Sequence, residues 1–357
     1  MIKNSLRQEG MALLSTMILL LAVTATLATI FYRHQLATGA AARALHSDQA
    51  MLLALSAESW TSQLLSNAED DRDSDSLDEN WAQTLPPLPL EGGQLRGCLR
   101  DLQAKVNINN FAELTTLSGS LLTDAWMQLV AESAAQLQRP SQPYEVLAAV
   151  VDWLDENDQP MANGGQEYYP YQPGQPERFP ANRTISDVEE MAVVEGVGLP
   201  LAHQLEHYTT ALPRATPVNL NTAGVELLRA LGAADNLAGE AFSDWAVARR
   251  PFATIAEFHA ALAMYSNRAE SEVEAIWTDQ RVSVKSDYFE LLAEITLGDV
   301  ALEYRATLDR LGREKPVVIA RSLVWVPTIA PPSSEAEALR QQRELGSLCQ
   351  ISFAGEV

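Results

Sequence analysis

Three clusters of side chains in this sequence have the types and spacing to do chemistry. Asp152-Trp153-Leu154-Asp155-Glu156-Asn157-Asp158 packs hard oxygen donors just ahead of a turn-rich loop, residues 164–180. Such donors suit Ca²⁺, which would order the loop; the competing reading is a helix end with exposed acids. His203-Gln204-Leu205-Glu206-His207 has the H-x-x-E-H order that places two zinc ligands and a base on one helical face. No third ligand presents itself, and a plain helix surface is the alternative. Asp71, Asp73 and Asp75 alternate like the first ligands of a calcium loop, but Ser76 and Ala82 stand where glycine and glutamate are required. A solvated acidic loop is therefore expected there. The chain has no Gly-x-Ser-x-Gly elbow, phosphate loop or paired-cysteine metal site, and its two cysteines are Cys98 and Cys349.

The elements that must carry these residues begin with a membrane-sized helix. Lys3 and Arg7 precede Gly10, and 11–32 holds no charge. At 1.5 Å per residue that run spans about 33 Å, enough to cross a hydrocarbon core. The basic residues before it place the N-terminus in the cytoplasm and the remainder across the membrane. A secretory signal peptide cut near Leu36–Ala41 and an unprocessed anchor are the rivals. Helical character continues from His34 to Asn67, where proline is absent and Leu45, Leu52, Leu53, Trp60, Leu64 and Leu65 recur at helical spacings. These are the residues expected to cover a sheet.

The sheet itself is legible late in the chain. Residues 288–297, 300–308 and 317–326 read as strands, with Gly298-Asp299 as a turn, and 94–101 is a fourth candidate. Between them, 106–277 reads as mostly helical, with an internal echo: Val106-Asn107-Ile108-Asn109-Asn110 and Val218-Asn219-Leu220-Asn221-Thr222 each lead towards a helix. Asn221 is expected to cap the second. Composition limits the partners. The chain has 357 residues, 47 acidic against 25 basic, and a net charge of −22. That field repels phosphate backbones, so nucleic acid is not an expected partner.

Gly10-Met11-Ala12-Leu13-Leu14 after a short charged leader resembles the class III leader of type IV pilins and pseudopilins. The resemblance implies cleavage after Gly10 by a prepilin peptidase and N-methylation of Met11. The family's glutamate at the fifth mature position, which pairs with a neighbour's terminal ammonium, is Ser15 here; that suits a subunit with nothing above it. The stretches from Asn219 to Phe252 and around Glu195-Gly196-Val197-Gly198 resemble helix-hairpin-helix modules, in acidic surroundings that argue against DNA binding.

With Asp152-Trp153 and Ser286-Asp287-Tyr288-Phe289, these features resemble the general secretion pathway protein K family, the large minor pseudopilins of type II secretion. The resemblance covers nearly the whole chain; the tail beyond Pro331 matches little. It implies an α+β fold: a pilin-like N-terminal helix on a small antiparallel sheet, with a large helical (helix-hairpin-helix/SAM-like) insertion. The divisions are then leader 1–10, transmembrane part 11–32, remaining helix, acidic linker and first strand 33–105, insertion 106–280, remaining strands 281–330 and tail 331–357. It further implies a non-enzymatic tip subunit that starts pseudopilus assembly, anchored by a single pass in the inner membrane with its globular part in the periplasm. Its partners would be other minor pseudopilins and the major pseudopilin. Calcium, in this family, would be held in the insertion, carried here onto Asp152, Asp155, Asn157, Asp158 and Glu167. In an oxidising compartment, a Cys98–Cys349 disulfide would stabilise by roughly 5 kcal/mol; buried free thiols are the alternative. Two other classes compete: a membrane-tethered zinc hydrolase using His203, Glu206 and His207, and a DNA-uptake receptor using the hairpins.

Overall fold

Helix α1 runs unbroken over Met11–Ser66, 56 residues or about 84 Å. The computed structural model describes residues 11–66, 73–83, 87–114, 116–117, 119–161, 164–168, 179–312 and 315–327, so the leader and the tail fall outside it. The first part of α1 is long and apolar enough to cross a membrane, and its side chains are exposed. The hydroxyls of Ser15, Thr16, Thr24, Thr26, Thr29 and Thr38 donate to carbonyls three or four residues back. Each of these hydroxyls is thereby satisfied within the helix.

In chain order the strands are β1 Leu88–Leu90, β2 Gly93–Asp101, the two-residue strands β3 Val106–Asn107, β4 Thr209–Thr210, β5 Val218–Asn219 and β6 Val282–Ser283, then β7 Tyr288–Leu297, β8 Val300–Asp309 and β9 Val317–Pro327. After α1 the helices are α2 Leu121–Gln136, α3 Pro143–Leu154, α4 Gly198–Leu205, α5 Val225–Ala234, α6 Gly239–Arg249, α7 Ile255–Ser266 and α8 Glu270–Ile276. The main sheet is antiparallel throughout in the order β1-β2-β7-β8-β9, so early and late chain segments meet at the β2–β7 pair. This is the α+β plan expected from the sequence.

The upper part of α1 packs on this sheet through a face the leucine pattern marks only in part, Leu53, Leu64 and Leu65 lying in or against the interface. Its buried residues are Ala50, Ala54, Glu58, Thr61 and Leu65, while Leu45, Leu52 and Trp60 are exposed. Small side chains at spacings of three and four let the sheet approach the helix backbone closely, and Phe289, Leu291, Ala293, Ile295, Leu302, Tyr304, Ala306 and Leu308 fill that interface. Contacts run in step along the helix: Arg43 pairs with Asp299 at 2.7 Å, Glu58 meets Tyr304 and Arg321, and Ser62 Oγ donates to the Pro316 carbonyl. Gly298 opens the two-residue β7–β8 turn at φ +55, and a Cβ there would stand 2.6 Å from the His46 ring. Burial works against the Glu58 charge, but hydrogen bonds from Arg321 and Tyr304 outweigh it and hold the carboxyl below its usual range.

A second core occupies the chain between the early and late strands. It is built from buried residues between Val106 and Val284, with Trp126, Phe242, Phe258 and Trp277 at its centre. The sequence echo is a structural repeat. Asn107 and Asn219 each accept from the N–H two residues on, at 3.2 and 3.0 Å. Asn109 then clamps both backbone groups of Ile185, and Asn221 those of Phe252, at 2.8–2.9 Å. Asn221 is thus not a helix cap; the cap of α5 is Gly224, and the asparagine instead satisfies buried backbone.

Overpacking tests the close helix–sheet approach. Ala54→Leu is expected to lower stability by about 1–3 kcal/mol, whereas Leu52→Ala on the exposed side should change it by less than about 0.5 kcal/mol. Denaturant unfolding in detergent measures both.

Candidate functional site

One buried carboxylate sits where the sheet meets the helical core. Asp101, at the end of β2, accepts through Oδ2 from Asn219 Nδ2 at 3.0 Å, Thr222 Oγ1 at 2.5 Å and Ser286 Oγ at 2.6 Å. Its Oδ1 accepts the Gln103 N–H at 2.8 Å. Burial pushes this carboxyl up to about 6; bonds from Ser286 and Thr222 oppose that rise and nearby Asp75 adds to it. Asp75 corrects the expectation of a solvated loop. It is 2% exposed, accepts the Ser286 N–H at 2.8 Å and is ion-paired with Arg310. Asp73 is exposed as expected, and Asp71 lies outside the described residues. A run of acids announces a loop but gives no sign that Arg310, far along the chain, will bury one of them.

The acidic end of α3 forms the second constellation. Asp152 is buried, and its Oδ1 accepts the Met161 N–H at 2.8 Å. Asn157 donates to Asp155 at 2.8 Å and accepts the Gln159 N–H. Four oxygens, Asp152 Oδ2, Asp155 Oδ1, Glu167 Oε1 and Asn182 Oδ1, are shielded from solvent without a hydrogen-bond partner. Burial, followed by Asp152, Asp155 and Asp158, pushes the Glu167 carboxyl up to about 7. Gly165 leaves open the space beside Asp152 Oδ2, where a Cβ would stand 2.3 Å away. Orphaned carboxylate and amide oxygens of this kind fit a hard cation. They are gathered but not drawn together: among the described residues, no group of three or more His, Cys, Asp or Glu is arranged to hold a metal ion. Asn182 was not foreseen from the sequence. Its positive φ of 46 turns the returning loop so that Nδ2 donates to Asp158 at 3.2 Å. Residues 169–178 lie outside the described residues, and the rings of Tyr168 and Phe179 meet across that gap at 5.2 Å.

The zinc pattern is not assembled. Helix α4 ends at Leu205, so His207 lies beyond it and does not share a helical face with His203. His203 is exposed with Nδ1 3.4 Å from Glu206, the residue that would act as base. The other predicted residues fall as follows. Gly10 is outside the described residues, Met11 starts α1, and the Ser15 hydroxyl donates to the Ala12 carbonyl at 2.9 Å. The first carboxylate along α1 is Asp48. Cys98 lies on β2 opposite Leu292, and Cys349 is outside the described residues.

Residues 104–214 match the family described as type II secretion system (T2SS), protein K. The type II secretion system protein K of Aeromonas hydrophila is 30% identical over 223 residues, covering 60% of this chain and 67% of that protein. The chain belongs to the type II secretion system protein K family. The protein K of Pseudomonas aeruginosa is 28% identical over 323 residues, covering 88% of this chain and 93% of its own. A crystal structure of the GspK-GspI-GspJ complex from the type 2 secretion system of enterotoxigenic Escherichia coli contains a chain of the same fold, with TM-score 0.65 and 25% identity, covering 78% of this chain and 97% of that one. As a protein K, the chain is a minor pseudopilin of type II secretion, and the hydrolase and DNA-receptor readings find no support.

The joint at Asp101 makes a pH-dependent prediction. Its folded value of about 6 lies above the ordinary 3.8. Its contribution to stability is therefore complete below the lower value and is lost as pH rises through the higher one. Asp101→Asn is expected to lower stability by about 1–3 kcal/mol and to flatten that decline, as read from thermal midpoints across the interval.

Proposed function

We propose that this subunit caps the tip of the type II secretion pseudopilus and helps start its assembly, supporting protein export across the outer membrane. The observation that carries the reading is the combination of a bare helix start with a blocked upper end. The mature helix begins without an acid, Ser15 standing where a subunit above would be engaged and its hydroxyl turned onto its own backbone. At the other end of the sheet, the Asp101 joint attaches the helical insertion (about 106–280 in the sequence reading) beyond the last turns of α1. The apolar first half of α1 remains available to the bilayer and to helices stacked below.

In this reading the prepilin peptidase cuts between Gly10 and Met11, and Met11 is then N-methylated. The helix holds the subunit in the inner membrane by a single pass, with the globular part in the periplasm. Other minor pseudopilins bind beside it, as the E. coli relative's complex suggests, and the major pseudopilin continues the filament below. No catalytic step is required. Gly10→Ala is expected to leave the leader on, and intact mass of the membrane-extracted protein reads this directly. A mature N-terminus beyond Phe31 would contradict the pilin assignment. Ser15→Glu should leave the fold unchanged while allowing subunits to add above; unchanged placement would remove the argument from the missing charge.

Calcium is part of the proposal. Asp152, Asp155, Asp158 and Glu167, with Asn157 and Asn182 beside them, would hold the ion and fix the loop that follows α3. The shielded, unpartnered oxygens support this. Because Glu167 ionises only near 7, affinity should weaken as pH falls below that value. Calcium at about 100 times its dissociation constant should stabilise by about 2.7 kcal/mol. Calorimetric unfolding of Glu167→Gln with Asp155→Asn should show that gain abolished.

A further inference from the structure

The main sheet has two edges, β1 and β9, and they are built differently. Unpaired N–H and C=O groups on an edge accept any passing strand, so edges are usually blunted by shortness, proline, lysine or a bulge. β1 is blunted: it is three residues long with Pro89 at its centre. β9 has eleven residues, and among the described residues its outer side pairs with no strand and makes no other backbone bond. A bulge opposite Thr307 and Leu308 interrupts only its start. From there residues 320–326 pair regularly with β8 and contain neither lysine nor proline. Their one charge, Arg321, is committed to Glu58 of α1. The stretch is apolar on both faces. Leu323 and Trp325 stand opposite Tyr304 and Leu302, on the side facing α1, and Val324 stands opposite Glu303 on the other. All three are between 40% and 54% exposed. Leu55, one turn before Glu58 on α1, is exposed as well.

We propose that the free edge of β9 takes an extended strand from another minor pseudopilin, which continues the sheet across the subunit boundary and packs apolar side chains over Leu323 and Trp325. The edge itself specifies the occupant. A row of alternating donors and acceptors is matched only by another strand, and apolar flanks on both sides call for an apolar one. A second copy of this chain does not suit. Ser62 meets Pro316 just before β9 and Glu58 meets Arg321 further on, so β9 runs antiparallel to α1. Two β9 strands paired antiparallel would point their α1 helices in opposite directions, which two chains held in one membrane by the same anchor cannot do. A different pseudopilin has no such conflict, because its own sheet can present a strand of either direction. The far end of β9 pairs with Val300, next to the Arg43–Asp299 contact, so the open edge begins where α1 leaves the sheet. A neighbour anchored alongside by a similar helix carries its sheet at that height. The proposal rests on the partnership and the inner-membrane anchoring proposed above, and it assigns the surface that the partnership uses.

The test uses the full chain in detergent, with the other minor pseudopilins of the same secretion system added one at a time. Amide hydrogen exchange over 320–326 should find the outward N–H groups open in the isolated subunit. One partner should then slow them at least about tenfold. This readout needs no substitution, so misfolding of a variant cannot imitate it. Val324→Lys with Trp325→Lys puts two charges on the edge at exposed positions, and should weaken that partner's binding at least about tenfold, or about 1.4 kcal/mol. Leu199→Lys, at an exposed apolar position in the insertion, is the control and should leave binding unchanged. Protection already present in the isolated subunit, whether from its own chain or a second copy, would overturn the proposal. So would equal binding by the double variant, or equal weakening by the control. If the double variant binds as well as the unaltered chain, the partnership stands and only this surface falls. If the unaltered chain binds none of the minor pseudopilins, the partnership itself falls.

Discussion

The carboxylate of Asp101 is the constraint on which the arrangement of the two cores depends. It is the one acceptor that binds, at once, the end of β2, the Asn219 and Thr222 segment of the helical core and the Ser286 entry to β7. Three donors converge on one oxygen, and removing that oxygen would leave buried groups of three segments short of an acceptor at once. Asp75 and Arg310 brace the same point from the linker and from the end of β8. The insertion is consequently not a bead on a flexible string. It is fixed at the end of the sheet away from the membrane-sized part of α1.

The second constraint is the approach of α1 to the sheet. Ala50, Ala54 and Thr61 bring backbone and sheet close, and Glu58 is carried into that interface with two partners, Tyr304 and Arg321, to balance it. The register of Arg43, Glu58 and Ser62 against successive parts of the sheet fixes how far the sheet stands from the apolar first part of α1. Assembly by stacking helices then becomes a question of what each end of the rod offers. Here the lower half offers apolar surface, and the upper end is occupied by the insertion.

Much of this was legible because periodicity is local. The charge-free run after Gly10, the alternation from Tyr288 to Val326 and the two Asn-rich echoes each announce their own structure. What failed were statements that depend on distant partners. Leucine spacing on α1 marked only part of the packed face, because a sheet that approaches closely also selects alanine: Leu53, Leu64 and Leu65 lie against it, whereas Leu45, Leu52 and Trp60 do not. Asp75 read as solvated because its partner, Arg310, follows it by most of the chain. Asn221 looked like a cap because its sequence neighbours are helical, whereas its bonds go to Phe252. The H-x-x-E-H pattern dissolved because α4 ends two residues before its second histidine. The acidic cluster after α3 was found from its density of oxygen donors, yet Asn182, which closes it, arrives from the far side of a loop and carries no local signal.

Position within the filament is the central claim, and it can be observed directly. A compact label fused into the insertion, imaged by electron microscopy on isolated pseudopili, should mark a single site at one end of each filament. Labels spaced along the filament shaft would contradict the account, because the insertion would then have to fit between stacked subunits.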